Sequence, residues 1–322
     1  MERLDAFMAR AGAAYYAQRA GLGRDFTTAP EMSQAFGECL GLWCGLAWQA
    51  MGAPARVLWA ELGPGRGTLM ADARRAVAGV LPAFAAAAEI HLVETSPLLR
   101  AEQARRIPDA RWHDRAEDLP PGPMILLANE FFDALPIRQF VRRADGWRER
   151  YVHDGRFTEQ PGPDLGPAPE GVVREINEAG AALAGMLGAR LAAQGGAGLI
   201  LDYGPAETGF GDSLQALRDN AAADPLATPG EADITAHVDF AALAAAARAQ
   251  GADAHGPLPM GLFLQRLGLM TRSAMLARAA PAQAGAILAA AQRLVAPEGM
   301  GRLFKALALT HPALPIPTGF EG

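Results

Sequence analysis

The residues able to do chemistry in this chain are a few acids and glycines at regular spacing. In "VLWAELGPGRGTLM", an apolar run from Val57 ends on Glu61. Gly63, Gly65 and Gly67 follow at every second position, before Thr68 and Leu69 start a new apolar pattern. Glycine lets the backbone turn sharply and come close to a ligand, and a helix start beyond it offers free N–H groups to an anion. The spacing excludes two common uses of such a turn. A dinucleotide fold needs Gly-x-Gly-x-x-Gly, whose third glycine would fall on Thr68, and a triphosphate loop needs a lysine before its Ser or Thr, which Gly67-Thr68 lacks.

What remains is acidic-x-Gly-x-Gly-x-Gly, the pattern of class I S-adenosylmethionine-dependent methyltransferases. In that reading Glu61 answers the cofactor's ammonium, the turn from Gly63 to Thr68 receives its carboxylate, and Glu94, ending "HLVE", accepts both ribose hydroxyls. An acid ending the second strand also occurs in NAD enzymes, so Glu94 alone does not discriminate.

A second group lies in "LLANEFFDALPI": Asn129, Glu130 and Asp133, just past an apolar strand and interleaved with Phe131 and Phe132. Acids beside aromatic faces suit a cationic acceptor. Glu130 and Asp133 are the catalytic candidates, and Asn129 joins the cofactor-binding set. Asp202, ending "LILD", reads equally well as an acceptor acid or a loop cap. In "ADITAHVDF", Asp239 reads as a helix N-cap and His237 as a structural hydrogen-bonder. The six histidines show no metal-ligand spacing, so no metal is expected.

These residues require elements to hold them. Leu4, Phe7, Met8 and Ala11 recur at helical spacing, in a helix ending near Gly21 and Gly23. Thr28 and Glu31 form a capping box ahead of a helix with Met32, Ala35, Phe36, Cys39, Trp43 and Leu46 as its buried stripe. From Val57, short apolar strands alternate with helices: strands in "VLWAELG", "EIHLVE", "ARWHD", "MILLANE" and "AGLILDYG", and a last one in "RLFKALALTH". This order predicts an α/β fold with a doubly wound, mostly parallel sheet. Asp145-Gly146 marks a hairpin inserted after the fourth strand, Pro161 to Pro169 a loop, and Glu170 to about Ala193 a helix. Residues 208–231 read as a long loop, with helices near 240–250, 261–267 and 282–294 beyond it. The chain is one domain, 1–322: an N-terminal helical segment (1–52), a cofactor-binding half (53–136), the hairpin insertion (137–160), and a second half with a helical insertion (197–312).

A net charge of −6 argues against a nucleic-acid binder. Cys39 and Cys44 point about 140° apart on a helix, a poor geometry for a disulfide or metal pair. Glu2 and Asp5 interrupt the N-terminal region, which does not read as a signal or transit peptide. No run offers the roughly 20 apolar residues of a membrane span. A cytoplasmic location is the expectation.

"GRDFTTAPEMSQAFGE", "ELGPGRGTLM", "VETSPLLR", "NEFFDALPI", "DYG", "PLATPGEADITAHVDF" and "FKALALTHP" occur in that order from about Gly23 to Pro312. Together they resemble the MidA-like family, which includes the mitochondrial complex I assembly-factor arginine methyltransferase and its bacterial relatives. The resemblance implies a Rossmann-like methyltransferase fold and symmetric dimethylation of an arginine on a complex I subunit; the lack of a recognisable targeting segment makes a bacterial protein the expectation. The resemblance also implies that Thr28 and Ser33 border the cofactor or acceptor pocket. Two other readings stand beside it. A non-catalytic assembly factor would keep cofactor only as a structural ligand, although the intact glycine and acid set favours an enzyme. A small-molecule methyltransferase would have less use for the hairpin and the long loop.

Overall fold

The structure, a computed structural model, describes residues 1–18 and 27–321. Along the chain run α1 (Leu4–Gln18), α2 (Ala29–Met32), α3 (Gln34–Ala50), β1 (Val57–Leu62), α4 (Thr68–Val80), α5 (Pro82–Ala87), β2 (Ala88–Val93), α6 (Pro97–Arg106), β3 (Arg111–His113) and β4 (Met124–Asn129). There follow α7 (Glu178–Gln194), β5 (Gly196–Tyr203), α8 (Phe240–Ala249), β6 (Asp253–Pro259), α9 (Met260–Arg266), α10 (Leu269–Ala279), α11 (Ala284–Val295) and β7 (Phe304–Thr310). β1 to β7 form a seven-stranded sheet in the order β6-β7-β5-β4-β1-β2-β3, with β7 alone reversed among its described strands.

β1 occupies the middle because helices cover both faces of the sheet. Val57 and Trp59 pack into a core with α3 and α4, while Leu58, Ala60 and Leu62 pack with α7 and α8 on the other face. A strand buried on both sides reads as a continuous apolar run, as "VLWA" does. The chain leaves β1 towards β2 and β3, then crosses back to β4. That reversal opens a crevice at the carboxyl ends of β1 and β4, where doubly wound sheets hold ligands.

The insertions are richer in strand than the sequence suggested. The hairpin is part of a five-stranded antiparallel sheet: Gly146–His153 pairs with Arg138–Arg143, Arg156–Pro161 and Glu2–Arg3, and Val173–Ile176 adds to Arg138–Arg143. Glu2–Arg3 and Val173–Ile176 are two and four residues long and remote in sequence, too short to show a period. Val173–Ile176 also displaces the start of the expected 170–193 helix to Glu178, where Asn177 Oδ1 accepts from Gly180 N at 2.6 Å. Within the expected 208–231 loop, Gln215–Arg218 and Ala221–Ala223 form a hairpin on Asp233–Thr235. Asp219 and Asn220 turn it at φ +50° and +59°, a turn that such residues tolerate.

Three further expectations are corrected. The capping box at Thr28 does not form: Thr28 caps α2 through its backbone carbonyl, and Glu31 instead accepts from Thr68 Oγ1. Extended backbone at Ser33 divides the segment into α2 and α3, and Leu46 faces outward from the expected stripe. β6 and α10 were not anticipated, since "DAHGPLP" neither alternates nor excludes Gly and Pro. The helix end expected near Gly21 and Gly23 lies outside the described residues. No helix among the described residues is long and apolar enough to cross a membrane.

Candidate active site

A cavity of about 530 Å³ occupies the crevice at the carboxyl ends of β1, β2 and β4, within the usual range for a small-ligand site. Its wall is the strand–turn–helix of β1 and α4. Gly63, Gly65 and Gly67 adopt φ of +57°, +54° and +79°, a left-handed conformation costly for other residues. Gly63 has a second constraint, since a Cβ there would stand 2.7 Å from the Phe131 ring. Gly63 and Gly65 border the cavity; Gly67 lies behind them as the N-cap of α4.

Glu61 ends β1 in the cavity wall, 3% exposed, with Oε2 lacking any hydrogen-bond partner among the described residues. Burial pushes its carboxyl up to about 8. Glu94 follows β2; its Oε1 accepts from Ser96 N at 2.8 Å and its Oε2 from Gln103 Nε2 at 3.4 Å. Burial raises its pKa as well. Each carboxylate oxygen keeps a further lone pair for a ligand hydroxyl. Asn129, ending β4, also lines the cavity, with Oδ1 lacking a partner among the described residues. A lone acid oxygen, an exposed turn at a helix start and a second acid fit the ammonium, carboxylate and ribose of S-adenosylmethionine in turn.

Thr28 and Thr68 border the cavity as expected, but Ser33 does not: it is buried at the break between α2 and α3. The acids after β4 also part company. Glu130 lines the cavity at φ +51°, and its Oε1 accepts from Ala29 N at 3.1 Å and Asn129 Nδ2 at 3.1 Å. Burial and the charge of Asp133 push its carboxyl up to about 7. Asp133 is not among the lining residues; it is 7% exposed, and burial pushes its carboxyl up to about 6 against the lowering effect of the nearby Tyr203 hydroxyl.

Asp202 proves to be a loop cap. Its Oδ2 accepts from the backbone N–H groups of Phe131 (3.1 Å), Phe132 (2.9 Å) and Asp133 (3.2 Å), and its Oδ1 from Tyr203 N (2.9 Å). Asp239 caps α8 through Ala242 N at 2.9 Å. His237 lines a separate cavity, against the edge of the Tyr203 ring.

Sequence reasoning missed several contributors. Gln103 of α6, fully buried, links the site by donating to Gly65 O at 2.6 Å and accepting from Trp112 Nε1 at 2.8 Å. An uncharged amide within the charged run "RAEQARR" was the available signal. Asp114 to Glu117 close the cavity beyond β3, and α1 lines it with Tyr16. Neither was legible, because nothing local ties α1 to β4.

The sheet order with its reversed β7, the glycine turn after β1 and the acids at the carboxyl ends of β1 and β2 define an S-adenosylmethionine-dependent methyltransferase. Residues 39–258 match the family of S-adenosyl-L-methionine-dependent methyltransferases, and the chain belongs to it. The chain is 37% identical to the protein arginine methyltransferase NDUFAF7 homolog of Drosophila melanogaster, over 92% of this chain and 78% of that one. With protein arginine methyltransferase NDUFAF7 of Homo sapiens it shares 33% identity, over 92% and 76%. A crystal structure of a Burkholderia thailandensis protein bound to S-adenosyl-homocysteine superposes with a TM-score of 0.80 at 28% identity, covering 99% of this chain and 88% of that one. Both NDUFAF7 relatives are named mitochondrial, which overturns the cytoplasmic location expected from the N-terminal composition.

Proposed function

We propose that this chain transfers a methyl group from S-adenosylmethionine to an arginine nitrogen of a protein substrate. Glu130 carries the reading. It is an acid that borders the cavity beside the cofactor-binding turn, held by Ala29 N–H and Asn129, with a pKa near neutrality. The relatives named as protein arginine methyltransferases supply the acceptor class. The MidA-like resemblance makes a respiratory complex I subunit the first protein to test and symmetric dimethylarginine the product to seek.

Glu61, the turn from Gly63 to Thr68, Glu94 and Asn129 hold the cofactor in this reading. When bound, S-adenosylmethionine supplies a methyl group made electrophilic by its sulfonium. The chain's own task is to position the acceptor in line and manage its proton. Arginine is a poor nucleophile because its guanidinium stays protonated, with a pKa above about 12. A Glu130 carboxylate accepts N–H bonds from the guanidinium and draws positive charge away from the attacking nitrogen. The proton lost on methylation passes to the same carboxylate, whose affinity for it suits neutral pH.

The reading is tested by incubating the protein with methyl-labelled S-adenosylmethionine and a cell lysate, then locating the label by mass spectrometry. Label on an arginine nitrogen supports it. Label confined to small molecules makes the acceptor a metabolite, and cofactor binding with no transfer makes the chain a binding module.

A further inference from the structure

The N-terminal helix contributes to the cavity through one face. Met8, Ala9, Gly12, Ala13 and Tyr16 line it at helical spacing, and the Tyr16 hydroxyl is the only polar side-chain group among them. That hydroxyl donates to Asp233 Oδ1 at 2.8 Å. Asp233 belongs to the Asp233–Thr235 strand, which is stitched to the acceptor loop: Ala236 N donates to Asp133 O at 3.0 Å, and Thr235 Oγ1 accepts from Tyr203 OH at 2.8 Å. Glu130 and Tyr16, which both line the cavity, also both feel the charges of Asp133 and Asp233, so the four groups lie near one another.

We infer that Tyr16 is a substrate-binding residue whose phenolic oxygen, with its proton committed to Asp233, accepts an N–H of the acceptor guanidinium alongside Glu130. This rests on the arginine reading. A phenol has one proton and two lone pairs. With the proton donated to a carboxylate, the oxygen of this cavity-lining residue is left as an acceptor, and the bond to Asp233 polarises it further. Burial and the charges of Asp233 and Asp133 keep the phenol protonated, so this arrangement persists across neutral pH. The chemistry also calls for it. A guanidinium carries five N–H donors, Ala29 and Asn129 already occupy Oε1 of Glu130, and Asp133 is not among the lining residues. Tyr16 therefore supplies the second acceptor that had been expected of Asp133.

The test is binding of methylguanidinium to the protein saturated with S-adenosylhomocysteine, read by NMR titration with methylammonium as control. Wild type should prefer methylguanidinium. Tyr16→Phe, which keeps the ring and removes only the oxygen, should lose that preference by roughly tenfold, the effect of one charge-assisted hydrogen bond. Affinity for S-adenosylhomocysteine and hydrogen exchange in α1 should not change. A Tyr16→Phe variant that keeps the wild-type preference overturns the inference. So does a loss accompanied by faster exchange in α1, since the tyrosine is then only a tether for the helix. A wild type with no preference for methylguanidinium overturns the arginine reading itself.

Discussion

Glu130 and Asp133 stand three positions apart, yet they occupy different environments and have different consequences. Glu130 borders the cavity, whereas Asp133 acts on it through charge. If Glu130 takes the acceptor's proton, the rate of methyl transfer should rise with pH through about 7 and level off above, because only the carboxylate accepts a proton. Glu130→Gln should abolish that limb and lower transfer by roughly 10²-fold or more, the scale for losing one preorganised electrostatic partner. Asp133→Asn removes a like charge and should move the limb to lower pH while retaining substantial activity. A pH–rate profile of both variants decides this; an unmoved limb in Asp133→Asn would show that the two acids are not coupled. Glu61 offers a second prediction. Its carboxyl, pushed up to about 8, is mostly protonated at pH 7, and a ligand ammonium favours the charged form. Binding of S-adenosylhomocysteine at pH 7 should therefore release up to one proton, and affinity should rise with pH to a plateau above about 8. Calorimetry in buffers of different ionisation enthalpy measures the release, which Glu61→Gln should eliminate.

At the scale of elements, the site depends on a loop that lacks regular structure but whose N–H groups from Glu130 to Asp133 each have an acceptor. Asp202, from β5, gathers three consecutive N–H groups of the loop after β4 and one of its own strand. Phe131 then packs against Gly63, so the loop after β4 and the glycine turn set each other's position. Burial and the charge of Asp133 push the Asp202 carboxyl well above the usual range. Asp202→Ala therefore counts as leaving buried donors without an acceptor and should destabilise the protein by roughly 1–3 kcal/mol, the cost of an unsatisfied buried polar group. Asp202→Asn retains one carbonyl oxygen and should cost less. Urea unfolding of the two variants measures the difference; wild-type stability in both would mean that the loop is held by something other than this carboxylate.

At the scale of the molecule, the cavity is closed by a part of the chain remote from the sheet that forms its floor. Leu4, Phe7, Met8 and Ala11 bury one face of α1 against Ile137, Val152, Ala216 and Ile234, a core separate from those on the two faces of the main sheet. The helix is thus anchored by both small sheets while a neighbouring face lines the cavity. Binding of S-adenosylhomocysteine should slow hydrogen exchange in α1 as well as in the glycine turn, because opening the helix would expose the ligand. Exchange mass spectrometry with and without ligand tests this coupling. Protection confined to the turn would make α1 independent of cofactor binding.

Local order was legible wherever neighbouring residues determine it. The alternation of apolar runs with helices dictated β1 to β5 and β7, and the glycine spacing with Glu61 and Glu94 pointed to the cofactor. Left-handed turns, strand ends and helix starts depend on residues adjacent in sequence, so their physics is written locally. The division of labour between Glu130 and Asp133, the capping role of Asp202 and the entry of Tyr16 into the cavity were decided by the tertiary structure. Each depends on which groups meet across tens or hundreds of residues: Asp202 with the loop at 131–133, and Tyr16 with Asp233. An acid's role follows from its burial and its neighbours' charges, and both are properties of the packed molecule rather than of the local chain.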